Sequence, residues 1–317
     1  MEKSIKLLII NRLNDRHIAT LKGVDPRVEV TSCEYQDIPR YIADTEILVP
    51  WGWMDISPFF SMATKLRWIQ TLSAGVEKII HPWFVESDIM LTSARGIHGI
   101  PVSEHVLAMM LCFTRGLHLN IRNQEKKSWH RPPVDELYEK TVGIVGLGSI
   151  GRDIAKKCKA MNMRVVAIKQ AMTEELFVDL LLPPQELDRL LELSDYVILA
   201  VPLTPATHHL LNAERIGKMK KTAFLVNIAR GEVVNEAALI EALKEGRIKG
   251  AGLDVFTTEP LPTDHPLWNF PNVIITPHVA ALSPYYLDRA IALVADNVAR
   301  YLQGREMLNM IDKNKGY

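Results

Sequence analysis

Short runs of apolar residues alternate along the chain with longer polar segments. Before residue 100 the apolar runs cover residues 7–10, 47–49, 68–69 and 89–91. The pattern restarts at Thr141, with runs at residues 142–145, 165–168, 196–200, 223–226, 252–255 and 273–275. Such short runs are typical of parallel strands buried on both faces. The crossover helices between them are expected at residues 150–160, 185–193 and 236–245. We therefore predict an α/β fold with two doubly wound parallel sheets.

Two longer segments with helical spacing of apolar residues, at about 102–113 and 284–302, flank the second group of strands. A chain of 317 residues is longer than one hydrophobic core usually spans. We predict a discontinuous first domain, residues 1–98 and 285–317, and a second domain, residues 99–284, with a cleft between them. The two long helices are expected to connect the domains.

Composition argues against several classes of function. Lys plus Arg and Asp plus Glu both number 37, so no basic field favours binding to nucleic acid or to an anionic membrane. The longest apolar run, residues 106–113, is much shorter than the roughly 18 residues of a membrane span. The three cysteines are widely separated, which predicts free thiols in a reducing cytoplasm. No two histidines have the helical spacing of metal ligands, so we expect no metal.

A glycine-rich segment follows the first strand of the second domain and opens its first helix; its sequence is Gly146-Leu147-Gly148-Ser149-Ile150-Gly151. Strand, glycine turn and helix are the context of a dinucleotide-binding fingerprint. Gly146 is expected to allow the tight turn, Gly148 the approach of a diphosphate, and Gly151 the packing of helix on strand. The N-terminus of the helix, at Ser149 and Ile150, would then hold the diphosphate.

The residues at the end of the next strand indicate which dinucleotide the chain binds. Lys169 and Gln170 stand where an acidic residue would accept hydrogen bonds from the ribose 2′-hydroxyl of NAD. A cation at this position can pair with a 2′-phosphate, so NADP is favoured over NAD. NAD stays open, because Glu174 and Glu175 can reach the ribose if the following loop folds back.

In an open parallel sheet, ligands bind beyond the carboxyl ends of the strands. Polar residues follow several strands of the second domain at this edge. Beyond the glycine segment, Lys169 and Gln170, we expect the cofactor to contact Val201, Pro202, Thr207, Ile228, Ala229, Arg230, Asp254 and His278.

Three of the residues at this edge have the chemistry that reduction of a 2-keto acid requires. The reaction needs a cation for the substrate carboxylate and carbonyl, a proton donor for the alkoxide, and a group that tunes the donor. Arg230, His278 and Glu259 supply them. A carboxylate beside the imidazole favours its protonated form and fixes its tautomer. We therefore predict hydride transfer between a nicotinamide cofactor and C2 of a small 2-keto or 2-hydroxy acid.

Taken together, the motifs resemble those of the D-isomer-specific 2-hydroxyacid dehydrogenases over nearly the whole chain. The matching segments are residues 142–151, 227–231, 253–260 and 276–278. The resemblance implies a Rossmann cofactor domain, a flavodoxin-like substrate domain and a homodimer. It implies that Arg230, Glu259 and His278 form the catalytic set and that Asp254 contacts the nicotinamide carboxamide. It further implies that the segment Ser73-Ala74-Gly75-Val76 presents backbone N–H groups to the substrate carboxylate.

Size and cofactor are similar to those of the glyoxylate and hydroxypyruvate reductases. The chain ends without a regulatory extension, which argues against a feedback-regulated phosphoglycerate dehydrogenase. Trp51 follows a strand of the first domain and is a candidate wall of the substrate pocket, where it would favour small or aromatic keto acids. Core packing of Trp51 or Trp53 is an equal alternative.

Two other functions remain open on the same fold. The first is a non-catalytic, dinucleotide-sensing module like the family's transcriptional corepressors, against which the complete catalytic set argues. The second is a dehydrogenase of another substrate, such as formate or phosphite, against which the lack of the site groups that such substrates need argues.

Overall fold

A computed structural model describes residues 3–76 and 78–314 of the chain. The chain divides into two compact units: unit 1 comprises Met1–Ile97 and Ser283–Tyr317, and unit 2 comprises His98–Leu282. The ends of the predicted first domain, residues 1–2 and 315–317, lie outside the described residues.

Unit 1 is built on a parallel sheet whose described strands have the order β2-β1-β3-β4-β5. The strands are β1 (Ile5–Ile10), β2 (Val28–Cys33), β3 (Ile47–Val49), β4 (Trp68–Gln70) and β5 (Met90–Thr92). Its helices are α1 (Asp15–Lys22), α2 (Pro82–Val85) and α9 (Tyr286–Leu302). Apolar side chains cover both faces of the sheet, since separate core clusters contain Leu7 and Leu8, neighbours on one strand. The strand order is the doubly wound order of flavodoxin-like sheets.

Unit 2 is built on a larger parallel sheet, with described strands in the order β12-β11-β10-β9-β6-β7-β8. The strands are β6 (Thr141–Val145), β7 (Arg164–Ile168), β8 (Leu180–Leu182), β9 (Tyr196–Leu199), β10 (Phe224–Asn227), β11 (Gly250–Leu253) and β12 (Val273–Ile275). The helices are α3 (Gly99–Thr114), α4 (Leu117–Glu125), α5 (Ser149–Ala160), α6 (Leu187–Leu193), α7 (Ala213–Lys218) and α8 (Glu236–Lys244). The order reverses between β6 and β9, which is the switch point of a Rossmann sheet. The predicted fold class is confirmed.

Helix α3 packs closely against strand β11 at the position of a glycine, Gly252. A Cβ atom on Gly252 of β11 would lie 2.7 Å from the sulfur of Met109, which projects from α3. A larger residue at this position would require the Met109 side chain to move. Within residues 3–76 and 78–314, no helix has both the length and the apolar character needed to cross a bilayer.

Candidate active site

The parallel strands of unit 2 bring their carboxyl ends to one edge of the sheet, which we call the carboxyl edge. Along the order β12-β11-β10-β9-β6-β7, the residues beyond these ends include His278, Asp254, Arg230, Val201, Gly146 and Lys169. The predicted proton donor and the predicted phosphate-binding lysine thus lie on opposite sides of the glycine turn. This is the layout that a dinucleotide needs when its diphosphate sits at the turn and its two ends reach in opposite directions.

Glu259 and His278 form a hydrogen-bonded pair at this edge. A Glu259 carboxylate oxygen lies 2.8 Å from His278 Nδ1, and its other oxygen accepts a hydrogen bond from the backbone N–H of Phe256 at 3.0 Å. Because the carboxylate can only accept, the pair assigns a proton to Nδ1 and leaves Nε2 for a reacting group. The His278 side chain is 49% exposed.

Asp254 holds the loop that carries His278. Its side chain is buried and accepts hydrogen bonds from the backbone N–H groups of Val279 and Ala280, each at 2.9 Å. The Thr276 hydroxyl donates to the same carboxylate at 2.6 Å. The backbone N–H of His278 also donates to the Asp254 carbonyl at 2.9 Å. Both oxygens are therefore engaged in positioning the loop, and the contact with the nicotinamide carboxamide remains a prediction.

His105 joins this network from helix α3. Its Nε2 atom lies 3.0 Å from the Thr276 hydroxyl and 3.6 Å from a carboxylate oxygen of Asp254. No local sequence pattern links His105 to Thr276, because 171 positions separate the two residues.

Arg230 follows β10, the strand next to β11, in a loop that Asn227 shapes. The Asn227 amide donates to the Arg230 carbonyl and accepts from the Ala229 N–H, both at 3.0 Å. A Cβ atom on Gly231 would lie 2.0 Å from the carbonyl carbon of Phe256, so this loop packs directly against the segment that leads to Glu259. Burial, reinforced by the Arg230 charge, lowers the pKa of the nearby His98 to about 4, which keeps that imidazole neutral at physiological pH.

The glycine turn has the geometry that its fingerprint predicts. Gly146 has φ of +102°, and a Cβ atom on it would lie 2.6 Å from the carbonyl oxygen of Ala200. A Cβ atom on Gly151 would lie 2.3 Å from the Gly146 carbonyl oxygen, so the first turn of α5 packs on the loop. At Gly148, by contrast, an added Cβ atom would meet no atom within 4 Å. The backbone there faces open space at the N-terminus of a helix, which fits a diphosphate.

The remaining predicted cofactor contacts differ in accessibility. Ser149 and Ile150 begin helix α5 and are half-buried. Val201 and Pro202 follow β9 and lie beside the glycine turn. The Thr207 hydroxyl donates to the Pro202 carbonyl at 2.6 Å and thus closes the turn after β9. Ile228 is half-buried and Ala229 is buried, so Ala229 has little side-chain surface to offer a ligand. Their roles in binding remain predictions.

The end of β7 is occupied by charges that pair with one another. Lys169 Nζ contacts a carboxylate oxygen of Glu175 and lies 2.6 Å from the Thr173 hydroxyl. Arg152, in the first turn of α5, donates two hydrogen bonds to the same carboxylate, at 2.8 and 2.7 Å. Hydrogen bonds from Arg152, and to a smaller extent from Lys169, lower the pKa of Glu175 to about 2. The loop thus folds back on Lys169, while Gln170 is exposed.

The predicted substrate loop of unit 1 is braced by its neighbours. The Ser73 hydroxyl accepts a hydrogen bond from the Gly52 N–H at 2.8 Å and lies 3.1 Å from the Gly75 carbonyl oxygen. Ala74 is exposed, whereas the Val76 side chain is buried in the core and can offer only its backbone. Among the described residues, no acceptor binds the backbone N–H groups of residues 74–76.

Trp51 and Trp53 of unit 1 have different environments. Trp51 is half-buried, stacks on Tyr286 with ring centroids 5.5 Å apart, and donates its indole N–H to the Asn11 side chain at 3.2 Å. Trp53 is exposed. Trp51 therefore combines the packing role and the partial accessibility that a pocket wall requires, and its contact with substrate remains a prediction.

Comparisons with known proteins identify the family. A sequence model of the family "D-isomer specific 2-hydroxyacid dehydrogenase, NAD binding domain" matches residues 107–280. This chain belongs to that family. The "glyoxylate reductase" of Thermofilum pendens is 38% identical to this 2-hydroxyacid dehydrogenase family member over 79% of the chain and 76% of the relative. The "D-3-phosphoglycerate dehydrogenase" of Methanocaldococcus jannaschii is 33% identical over 97% of the chain.

The 2-hydroxyacid dehydrogenase chain spans 59% of the length of the M. jannaschii protein. A solved structure with the same fold is the "NADPH-dependent glyoxylate/hydroxypyruvate reductase" from Sinorhizobium meliloti in complex with NADP and sulfate. It has a TM-score of 0.85 and 28% identity, and the match covers 99% of this chain and all of that one. Glyoxylate reductases and phosphoglycerate dehydrogenases are thus both among the curated relatives, at similar identities to the chain.

Proposed function

We propose that the chain catalyses the reduction of a small 2-keto acid to the D-2-hydroxy acid, with NADPH favoured over NADH. The observation that carries the proposal is the Glu259–His278 pair at the carboxyl edge. It anchors one nitrogen of a half-exposed imidazole, on the same carboxyl edge as Arg230.

The residues of unit 2 divide the reaction among them. A bound nicotinamide cofactor supplies the hydride that adds to C2 of the keto acid. The Arg230 guanidinium polarises the C2 carbonyl and stabilises the negative charge that develops on its oxygen. His278 donates a proton from Nε2 to that oxygen, and Glu259 stabilises the imidazolium form through Nδ1. In the oxidative direction, His278 takes the proton back.

The residues at the glycine turn fit a dinucleotide. Gly148 offers open backbone at the start of helix α5, and the N–H groups at this helix end favour a diphosphate. In unit 1, the N–H groups of residues 74–76 are proposed to bind the substrate carboxylate. Lys169 and Arg152 provide cations where a 2′-phosphate would lie.

We propose glyoxylate or hydroxypyruvate as the substrate. The glyoxylate reductase relative and the S. meliloti reductase support this choice. The test is the consumption of NADPH and NADH with glyoxylate, hydroxypyruvate, pyruvate and phenylpyruvate, alongside oxidation of D-3-phosphoglycerate with NAD. Turnover of a small keto acid would support the proposal, and turnover of D-3-phosphoglycerate alone would replace its substrate. Dinucleotide binding without any turnover would favour a sensing module instead.

We further propose that residues 99–284 form the cofactor domain and residues 1–98 with 285–317 the substrate domain. The compact units divide the chain close to these positions, which supports the assignment. We propose a cytoplasmic location because the three cysteines are free thiols. Cell fractionation tests it.

A homodimer is proposed from the surface of helix α4 and the segment after it. Trp129 is 98% exposed, and large apolar side chains at Leu117, Ile121, Val134 and Tyr138 are also exposed. An accumulation of exposed apolar side chains is typical of a protein interface. Light scattering on the purified chain is expected to give twice the mass of one chain, and Trp129→Ser is expected to shift it towards the monomer.

A further inference from the structure

The Arg152–Glu175–Lys169 cluster is a site at which two cations converge on one carboxylate. The two cationic side chains come from different elements, since Arg152 lies in helix α5 and Lys169 follows strand β7. Glu175 lies in the loop that follows β7 and contacts both of them. Its side chain is only 7% exposed, so the carboxylate is enclosed between its partners.

The position of this cluster relative to the glycine turn gives it a relation to the cofactor. Arg152 directly follows Gly151, the last glycine of the turn, and β7 pairs with β6, the strand that leads into the turn. In a Rossmann sheet, the ribose of a bound dinucleotide lies beside the end of the second strand, which is β7 in this chain. A 2′-phosphate on that ribose would require the same cations that Glu175 now engages.

We propose that Glu175 is an internal competitor of the 2′-phosphate and thereby sets the preference between NADP and NAD. This inference rests on the proposed function. NADP binds when the Glu175 carboxylate leaves Lys169 and Arg152 and the phosphate takes its place. NAD, which has a hydroxyl group at this position, leaves the Glu175 contacts intact. The preference for NADP is consequently weaker than the two cations alone would give.

The chain offers a matched control for this proposal. Glu174 precedes Glu175, carries the same charge and is exposed to solvent. Glu174→Gln therefore removes the same charge from the same loop without freeing Lys169 or Arg152. If both variants change the nucleotide affinity equally, the effect comes from the overall negative charge of the loop. If only Glu175→Gln changes it, the effect comes from the contacts of Glu175 with Lys169 and Arg152.

The experiment is calorimetric titration of the full chain with adenosine 2′,5′-bisphosphate and with 5′-AMP, a readout that does not depend on catalysis. Glu175→Gln is expected to bind the bisphosphate roughly tenfold more tightly than the wild type, because a charge-assisted contact no longer competes. We expect its affinity for 5′-AMP to change less than about twofold, since no phosphate enters the cluster. Glu174→Gln is expected to resemble the wild type with both ligands.

Three results would overturn the proposal. Weaker 5′-AMP binding in Glu175→Gln, with unchanged bisphosphate binding, would make Glu175 the acceptor for the ribose 2′-hydroxyl. Equal tightening in both variants would show a general charge effect. Absence of bisphosphate binding by the wild type and by every variant would overturn the proposal, whereas nucleotide binding without keto-acid turnover would overturn only the proposed function.

A second substitution covers failure of Glu175→Gln to fold, which circular dichroism would reveal. Glu175→Asp keeps the charge but shortens the side chain by one methylene group, so it cannot span both cations equally well. We expect it to bind the bisphosphate more tightly than the wild type, by less than Glu175→Gln does. Unchanged affinity in a folded Glu175→Asp would contradict the proposal.

Discussion

Two ends of the same carboxyl edge use charged side chains in opposite ways. Beyond β12 and near β11, Glu259 engages one nitrogen of His278, whose side chain is half-exposed. Beyond β7, Glu175 engages both Lys169 and Arg152, and its carboxylate is enclosed. The first arrangement is complete before a ligand arrives, whereas the second must open before an anion can use its cations. Preorganised polar groups favour chemistry, and mutually paired groups favour selectivity between ligands.

The largest expected effect is at the first of these two ends. His278→Gln is expected to lower kcat by about 10³-fold, because a positioned acid contributes on that scale. Dinucleotide affinity should stay close to the wild-type value, since the glycine turn and the cluster at β7 are untouched. Steady-state kinetics and fluorescence titration with NADPH measure the two quantities. A variant with wild-type kcat would remove His278 from the chemistry.

Arg230→Gln tests the predicted cation beyond β10 on the same carboxyl edge. It is expected to raise KM and lower kcat together, with a loss of roughly 10²-fold in kcat/KM, because both the substrate and the developing oxyanion lose their partner. The substitution also provides a readout that does not require substrate. The Arg230 charge helps to lower the pKa of His98, so NMR titration should show a higher His98 pKa in the variant. An unchanged His98 pKa would place the guanidinium away from that imidazole.

Asp254→Asn tests how rigidly the His278 loop is held. The amide cannot accept on both sides, so one of the donors from Val279, Ala280 or Thr276 loses its partner. We expect a loss of about 2 kcal/mol in the free energy of unfolding, the usual cost of a buried unsatisfied donor. Urea unfolding measures this, and kcat should fall by less than in His278→Gln. Wild-type stability would show that these hydrogen bonds are replaceable.

The two described strands that the sequence pattern missed, β2 and β8, both lie at sheet edges, although the edge strands β5 and β12 were predicted. Apolar and polar residues alternate in β2, as in Val28-Glu29-Val30. The strand lies at an edge of its sheet, and part of one of its faces is exposed to solvent. β8 is Leu180-Leu181-Leu182, a run that periodicity cannot distinguish from a helix of the same residues. The alternation in β2 left no continuous apolar run to identify, whereas β8 was missed although all three of its residues are apolar.

The same distinction holds at the site. Gly146, Gly148 and Gly151 were predictable because each answers a local backbone requirement within one motif. Asp254 was predicted as a cofactor contact, but its hydrogen bonds to the His278 loop depend on the pairing of β11 with β12. The sequence indicated only a contact with the ribose for Glu175. Its pairing with Arg152 depends on how α5 packs beside β7, which no local pattern encodes.

The smallest expected effect concerns the pH dependence of stability at the cluster beyond β7. Arg152 and Lys169 hold the pKa of Glu175 at about 2, below its ordinary value of 4.5. A carboxylate whose pKa is lowered by folding stabilises the fold above its unfolded pKa, and this contribution is lost as pH falls through the folded pKa. The wild type should therefore unfold at a higher temperature than Glu175→Gln at pH 7.

This excess of stability should shrink as the pH falls from 4.5 towards 2, the interval between the unfolded and folded pKa values of Glu175. Thermal unfolding of the wild type, Glu175→Gln and Glu174→Gln across this range measures it. Because Glu174 is exposed, its variant should track the wild type at every pH. A difference between the wild type and Glu175→Gln that is independent of pH would mean that the paired carboxylate stabilises the loop by packing rather than by charge. The cation pair would then be available to a phosphate at little electrostatic cost.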